Sequence, residues 1–268
     1  METVSLAHNL DRFPINVEKL ALDTGSIFGW QDTVTEVRSA DIKGFEGCLF
    51  PNENKTQWLI LYNSKMKSNG RIRFTQAHEL GHYLLHRQQK AFFECSNAAD
   101  MYNVSKEDKD IEADADRFAS YLLMPFDDYR KQIDSTINLD IFGSCADRYG
   151  VSLTATILRW LEYTEEKAVL IVSRNGFMNW AWSSTAAMKA GAFFRTKNNV
   201  IPIPPNSLTA NELISQDRKG VDVIGKVWFQ HAESKMTLRE MKIQSEQFDS
   251  IITLLILPSV AEVWPAYA

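Results

Sequence analysis

Cysteine is scarce in this chain and badly placed for cross-linking: Cys48, Cys95 and Cys145 stand about fifty residues apart, a spacing that makes neither a disulfide framework nor a thiolate metal site. All three are expected to be reduced and structural. A long apolar run is also missing. The start, Met1 to His8, has no basic segment leading into an apolar one, and Ile251 to Leu257 is too short to span a bilayer, so a cytoplasmic, membrane-free protein is expected. Positive charge is not in excess. With 29 Lys and Arg against 34 Asp and Glu, the net charge of −5 argues against a broad phosphate-binding face. Internal repeats, low-complexity tracts and phosphate-cradling glycine loops are absent as well. What remains is a chain of 268 residues, 45% hydrophobic and 24% charged, enough for one or two globular domains with a sizeable core.

The stretch that carries chemistry is His78-Glu79-Leu80-Gly81-His82. On a helix, two histidines four positions apart lie on nearly one line, one turn apart, so both rings can reach one metal ion. A helical wheel puts Phe74, Ala77, Gly81, His82, Leu84 and Leu85 in the same sector as His78, so the histidines face the core. Thr75 is the expected cap at the helix start. Gly81, mid-helix at a cost of about 1 kcal/mol against Ala, predicts the close approach of another element.

A catalytic zinc usually takes three protein ligands and keeps one position open. Downstream, Ile111, Ala115, Phe118, Ala119, Leu122 and Leu123 mark a second amphipathic helix that Pro125 ends. Glu112 and Asp116 fall within its apolar sector, whereas Asp114, Arg117, Ser120 and Tyr121 lie opposite. Inward carboxylates are costly without a cation or donors to compensate them, so Glu112 is the candidate third ligand. Asp116, one turn on, is placed to accept the free ring N–H of a ligating histidine. A lone histidine on an apolar face is ordinarily a hydrogen-bonded core residue, but that explanation must here account for four inward polar groups at once.

Arg73 to His86 together with Phe118 to Pro125 resembles the ImmA/IrrE family of metallo-endopeptidases, over roughly residues 10 to 165. The spacing of Glu112 and Asp116 is similar to the third-ligand helix of gluzincin peptidases. The resemblance implies a zinc-dependent endopeptidase, with manganese or another divalent transition metal as an alternative occupant. It also implies a substrate: a helix-turn-helix transcriptional repressor, often encoded nearby, whose removal releases stress-response or mobile-element genes. Glu79, about 100° round the helix from His78, cannot be a ligand and is the expected base. His86, Tyr83 and Tyr121 are open candidates for substrate or oxyanion contact, as is Arg73, and nothing in the sequence selects among them.

The fold expected is α+β. A zincin-like metallopeptidase domain over residues 1–130 would join a small antiparallel sheet, with strands at Gly44 to Phe50 and Gln57 to Tyr62, to the HExxH helix. Its edge strand would pair with an extended substrate. A short helix from Val17 to Leu22 precedes Gly25. Residues 131–166 read as a helix-turn-helix-like segment, with helices from Asp140 to Tyr149 and Leu153 to Tyr163. The second helix offers Arg159 as its one basic residue, too few for phosphate contacts, so packing or substrate docking is favoured over DNA binding. Residues 167–268 form a further α+β domain for sensing or docking, with an Asn175-Gly176 hairpin and strands near Val223 to Phe229, Arg239 to Ser245 and Ile251 to Leu257. Trp180, Trp182 and Trp228 are assigned to its core. The competing function class is a regulatory or toxin-like partner-binding protein on a silent metallopeptidase scaffold. The oligomeric state is not legible.

Overall fold

The computed structural model describes residues 12–41, 44–66, 68–89, 93–96, 106–133, 136–245 and 248–265. The Cys95 side chain and the segment before residue 12 lie outside the described residues; Cys48 and Cys145 are buried and form no disulfide. Two compact units emerge. One comprises residues up to 132 together with 145–152, the other residues 133–144 and 153 onward.

In the first unit, helix α1 (Val17–Phe28) starts where the Asn16 side chain accepts from the Lys19 N–H at 2.9 Å, and it ends at left-handed Gly29, φ 67°. Gly25 therefore lies inside the helix rather than after it. Its missing Cβ makes room for the Thr33 side chain, so the glycine serves packing. Strands β1 (Thr33–Ala40), β2 (Phe45–Pro51), β3 (Gln57–Asn63) and β4 (Phe93–Ser96) form one sheet in the order β1-β3-β2-β4. The expected antiparallel pair β2–β3 is there, but the sheet is mixed, because β1 runs parallel to β3 on its other edge. Its apolar residues Val34 and Val37 stand three apart rather than two, and the register of β1 on β3 shifts between Val34 and Glu36 to accommodate them.

Helix α2 (Asn69–His86) follows, and its cap is Ser68, whose hydroxyl accepts from the Arg71 N–H at 3.3 Å. Thr75, expected at the start, sits buried in mid-helix. Arg73 is spent on structure, donating to the carbonyls of Ile15 at 2.7 Å and Gly150 at 3.2 Å. Helix α3 (Lys106–Leu123) packs on α2 and stops before Pro125; α4 (Phe126–Gln132) follows directly.

Helix α5 (Leu139–Tyr149) is divided between the units at residue 145, and α6 (Leu153–Leu161) belongs to the second. Gly150, φ 63°, makes the turn between them. α6 is a core helix: Thr156, Ile157, Arg159, Trp160 and Leu161 are buried. The Arg159 side chain is wholly enclosed and paired with Glu162 at 2.6 Å, out of reach of any phosphate.

The second unit is a five-stranded antiparallel sheet ordered β6-β5-β9-β8-β7, with β5 (Lys167–Arg174), β6 (Phe177–Ser183), β7 (Gln216–Ile224), β8 (Thr237–Ser245) and β9 (Ser250–Leu257). Asn175 and Gly176, with φ 51° and 78°, form the hairpin turn. β7 ends at Ile224; the stretch expected to continue it turns into a 3-10 helix at Gly225–Val227, where Met236 crowds the missing Cβ of Gly225. Trp228 is in the core, whereas Trp182 is 60% exposed on edge strand β6.

This unit hides an acidic side chain that no motif announces. Glu240 on β8 is fully buried, and its carboxylate accepts from the Trp228 indole N–H (2.8 Å), the Thr209 N–H (2.7 Å) and the Thr209 hydroxyl (2.6 Å). It pins the irregular segment around Thr209 to the sheet. Glu240→Leu would leave these donors buried without an acceptor, so it is expected to destabilise the protein by about 3 kcal/mol, with Glu240→Gln losing less. Chemical unfolding checks this; equal stability of Glu240→Leu and wild type would show the network to be dispensable. Among the described residues, no helix is long and apolar enough to cross a membrane.

Candidate metal centre

The two middle turns of α2 are buried on every side, from Ala77 through Tyr83, while Leu85, expected to face the core, is 48% exposed. The enclosure comes from two directions. On one side α3 approaches so closely that a Cβ on Gly81 would stand 3.0 Å from the Phe118 ring and 3.3 Å from the Ala115 backbone. On the other lies β2, where a Cβ on Gly47 would meet the Thr75 methyl and stand 2.7 Å from a carboxylate oxygen of Glu79. Two glycines thus set how near the helix comes to its neighbours. Gly81 announces itself by lying mid-helix; Gly47 could have been noticed as a glycine inside a strand, a sign of close approach.

In that enclosure His78 Nε2 and His82 Nε2 face each other at 2.9 Å. Glu112, from α3, brings Oε2 to 3.2 Å from His78 Nε2 and Oε1 to 3.4 Å from His82 Nε2. Ligand atoms of the three residues lie within 4.8 Å of one another. Donors around a tetrahedral zinc, with bonds near 2.1 Å, sit roughly 3.4 Å apart, so this set matches a metal's needs.

Each imidazole also has a partner at its far nitrogen. Asp116 Oδ1 lies 2.9 Å from His78 Nδ1, and His86 Nδ1 lies 3.2 Å from His82 Nδ1. The two acids are less buried than their wheel positions suggest: the Glu112 side chain is 28% exposed and that of Asp116 61%. They reach in from the rim of α3, and Asp114 and Arg117 stand outside in a pair of their own at 3.3 Å.

Charges follow from these contacts. Burial alone would lower the pKa of His78, but hydrogen bonds to Asp116 and Glu112 prevail and push it up to about 10. Burial holds His82 and His86 below the ordinary imidazole value. For Glu112 burial works upward and is overcome by hydrogen bonds to His78 and His82, leaving it well below the usual carboxylate range. Glu79 is fully buried.

Two candidate contacts are committed elsewhere. Tyr83 is wholly buried, its hydroxyl donates to the Asp32 carbonyl at 2.6 Å, and burial pushes its pKa up to about 12. Arg87, stacked 3.6 Å over Trp30 and bonded to Asp32, closes that corner of the core. His86 is 4% exposed, set against His82 rather than at a substrate-facing fringe. Tyr121 stays accessible, at 47% exposure, with its ring edge-on to Phe126.

Residues 32–161 match the family model described as IrrE N-terminal-like domain, Peptidase_M78. These residues form a domain of this family, the ImmA/IrrE metallopeptidases. The match takes in β1 through α6, and with it the whole His78, His82, Glu112 cluster. No curated protein sequence matches the chain. Among solved structures, a Mycobacterium tuberculosis transcriptional regulator is similar, with a TM-score of 0.55 at 12% identity over 96% of this chain and 74% of that one. At that identity the likeness concerns fold alone. An ImmA/IrrE-type metallopeptidase domain with a His-His-Glu group compatible with a metal is thus in place.

Proposed function

We propose that this protein is a zinc-dependent endopeptidase in which His78, His82 and Glu112 hold the metal, Glu79 is the base and Asp116 orients His78. The observation that carries the reading is the convergence of two imidazole Nε2 atoms and one carboxylate on a single point beside a buried glutamate. A bound zinc ion would supply a water of lowered pKa and polarise the scissile carbonyl. Glu79 then takes a proton from the attacking water and returns it to the leaving amine. Its carboxylate is fully buried and lies against β2 at Gly47, which fixes its place beside the ligand set. Asp116 accepts the Nδ1–H of His78 and so turns that ring's Nε2 toward the ligand position. Tyr121 is the candidate left for contact with substrate or oxyanion.

The substrate that family membership favours is a helix-turn-helix repressor in the cytoplasm. Strand β4 is at one edge of the first unit's sheet, next to β2, and its backbone offers hydrogen bonds to an extended peptide. The enclosure of Arg159 supports a protein substrate over direct DNA contact.

Elemental mass spectrometry of protein purified without chelators is expected to find one equivalent of a transition metal. Chelation should abolish cleavage of an unstructured polypeptide, and added zinc should restore it. Absence of metal even after incubation with zinc would sink the peptidase reading and leave a regulatory protein on a silent scaffold.

Gly47 supplies a second test. Gly47→Ala drives a methyl toward Thr75 and the Glu79 carboxylate, so cleavage is expected to fall by roughly ten- to a hundredfold, as for a base displaced by about 1 Å, while metal stays bound. Adding Thr75→Ser relieves the worse clash and should recover part of the rate. An unchanged rate in Gly47→Ala would show that the carboxylate is not held by the strand.

A further inference from the structure

We infer that His86 is the positioning residue for His82: its Nδ1 accepts the Nδ1–H of His82 and fixes the tautomer that presents Nε2 to the metal. The inference rests on the metal site proposed above. His82 Nε2 is the nitrogen turned to His78 Nε2 and Glu112, so a ligating His82 must carry its proton on Nδ1. That proton needs an acceptor, because His82 is fully buried and water cannot serve. His86 Nδ1 is there at 3.2 Å, one helical turn on, with ring centroids 5.4 Å apart and planes tilted by 55°. Accepting at Nδ1 places the proton of His86 on its own Nε2.

The two ligands are therefore oriented by different chemistry. His78 leans on a carboxylate, Asp116, at the exposed rim, where water screens an added negative charge. His82 leans on a neutral ring in the interior, where Glu79 and Glu112 already bring two carboxylates. A third acid at residue 86 would add repulsion in a dry site. A neutral acceptor orients the ring without that cost. The same burial withdraws His86 from substrate and oxyanion, so its role is exercised through His82 alone.

Leucine and asparagine have nearly the same shape, and only asparagine keeps an acceptor at the position of Nδ1. Zinc affinity, measured by competition with a chromophoric chelator, is expected to weaken about 10- to 100-fold in His86→Leu and to stay within a few-fold of wild type in His86→Asn. Melting of the metal-free proteins verifies that each variant is folded. Wild-type affinity in His86→Leu, or equal losses in both variants, would overturn the inference and reduce His86 to packing. Should either variant fail to fold, nitrogen NMR of the zinc-loaded wild type decides the matter: protons on His82 Nδ1 and His86 Nε2 uphold it, and a proton on His86 Nδ1 refutes it. A wild type that binds no zinc would remove the metal site itself, an outcome distinct from a wild type and His86→Leu that bind equally well.

Discussion

Glu79→Gln is expected to keep its metal and lose peptide cleavage by roughly a hundred- to ten-thousandfold, the range a positioned general base contributes. The amide has the shape of the carboxylate and fits the same space between α2 and Gly47, so neither fold nor ligand set need change. What disappears is the negative charge that lets this side chain take up a proton. The check is to measure metal content and cleavage rate on one preparation. A variant that still cleaves within tenfold of wild type would remove Glu79 from the mechanism. A variant that loses its metal would instead make Glu79 part of the site's structure.

Glu112→Ala should do the opposite, since it leaves two imidazoles without the carboxylate that closes the set. Oriented partners of metal ligands are worth about 10- to 100-fold in affinity, and deleting a ligand itself should exceed the upper figure. Zinc competition measures the loss. With its side chain 28% exposed, Glu112 carries little of the packing, so the metal-free variant is expected to fold. In the metal-free protein the substitution also removes one of the groups that raise the His78 pKa, leaving Asp116 and Glu79 to hold it up. Undiminished zinc affinity in Glu112→Ala would mean that some other group completes the site.

The centre was the most legible part of the chain because its elements are helices, and helical periodicity assigns faces from local sequence alone. His78 and His82 share one helix face and Glu112 and Asp116 another, and a glycine in mid-helix at Gly81 already implies a close neighbour, which is α3. Boundaries were poorer. Two hydroxyl residues precede or open the HExxH run, and choosing Thr75 over Ser68 as the cap shortens α2 by almost two turns. β1 is hard to read because β2 comes between it and its partner β3 in sequence, and parallel pairing leaves no turn signature. Gly47 and Glu240 depend on contacts with residues far along the chain. Trp182 shows the reverse failure: an aromatic in an alternating strand looks like core, but on edge strand β6 it is exposed.

The division of α5 bears on how such a protein can be inherited or rebuilt. A fragment ending at residue 132 would lack Tyr149, whose hydroxyl donates to Asp128 at 2.6 Å, and the Gly150 carbonyl that receives Arg73. A fragment beginning at Leu153 would lack the Phe142 carbonyl, which accepts the Thr156 hydroxyl at 3.1 Å. Neither half is a cassette. Recombination at one point along the gene would hand on two incomplete bodies, so lineages that exchange the second unit must replace residues 133–144 along with it and keep 145–152 in place.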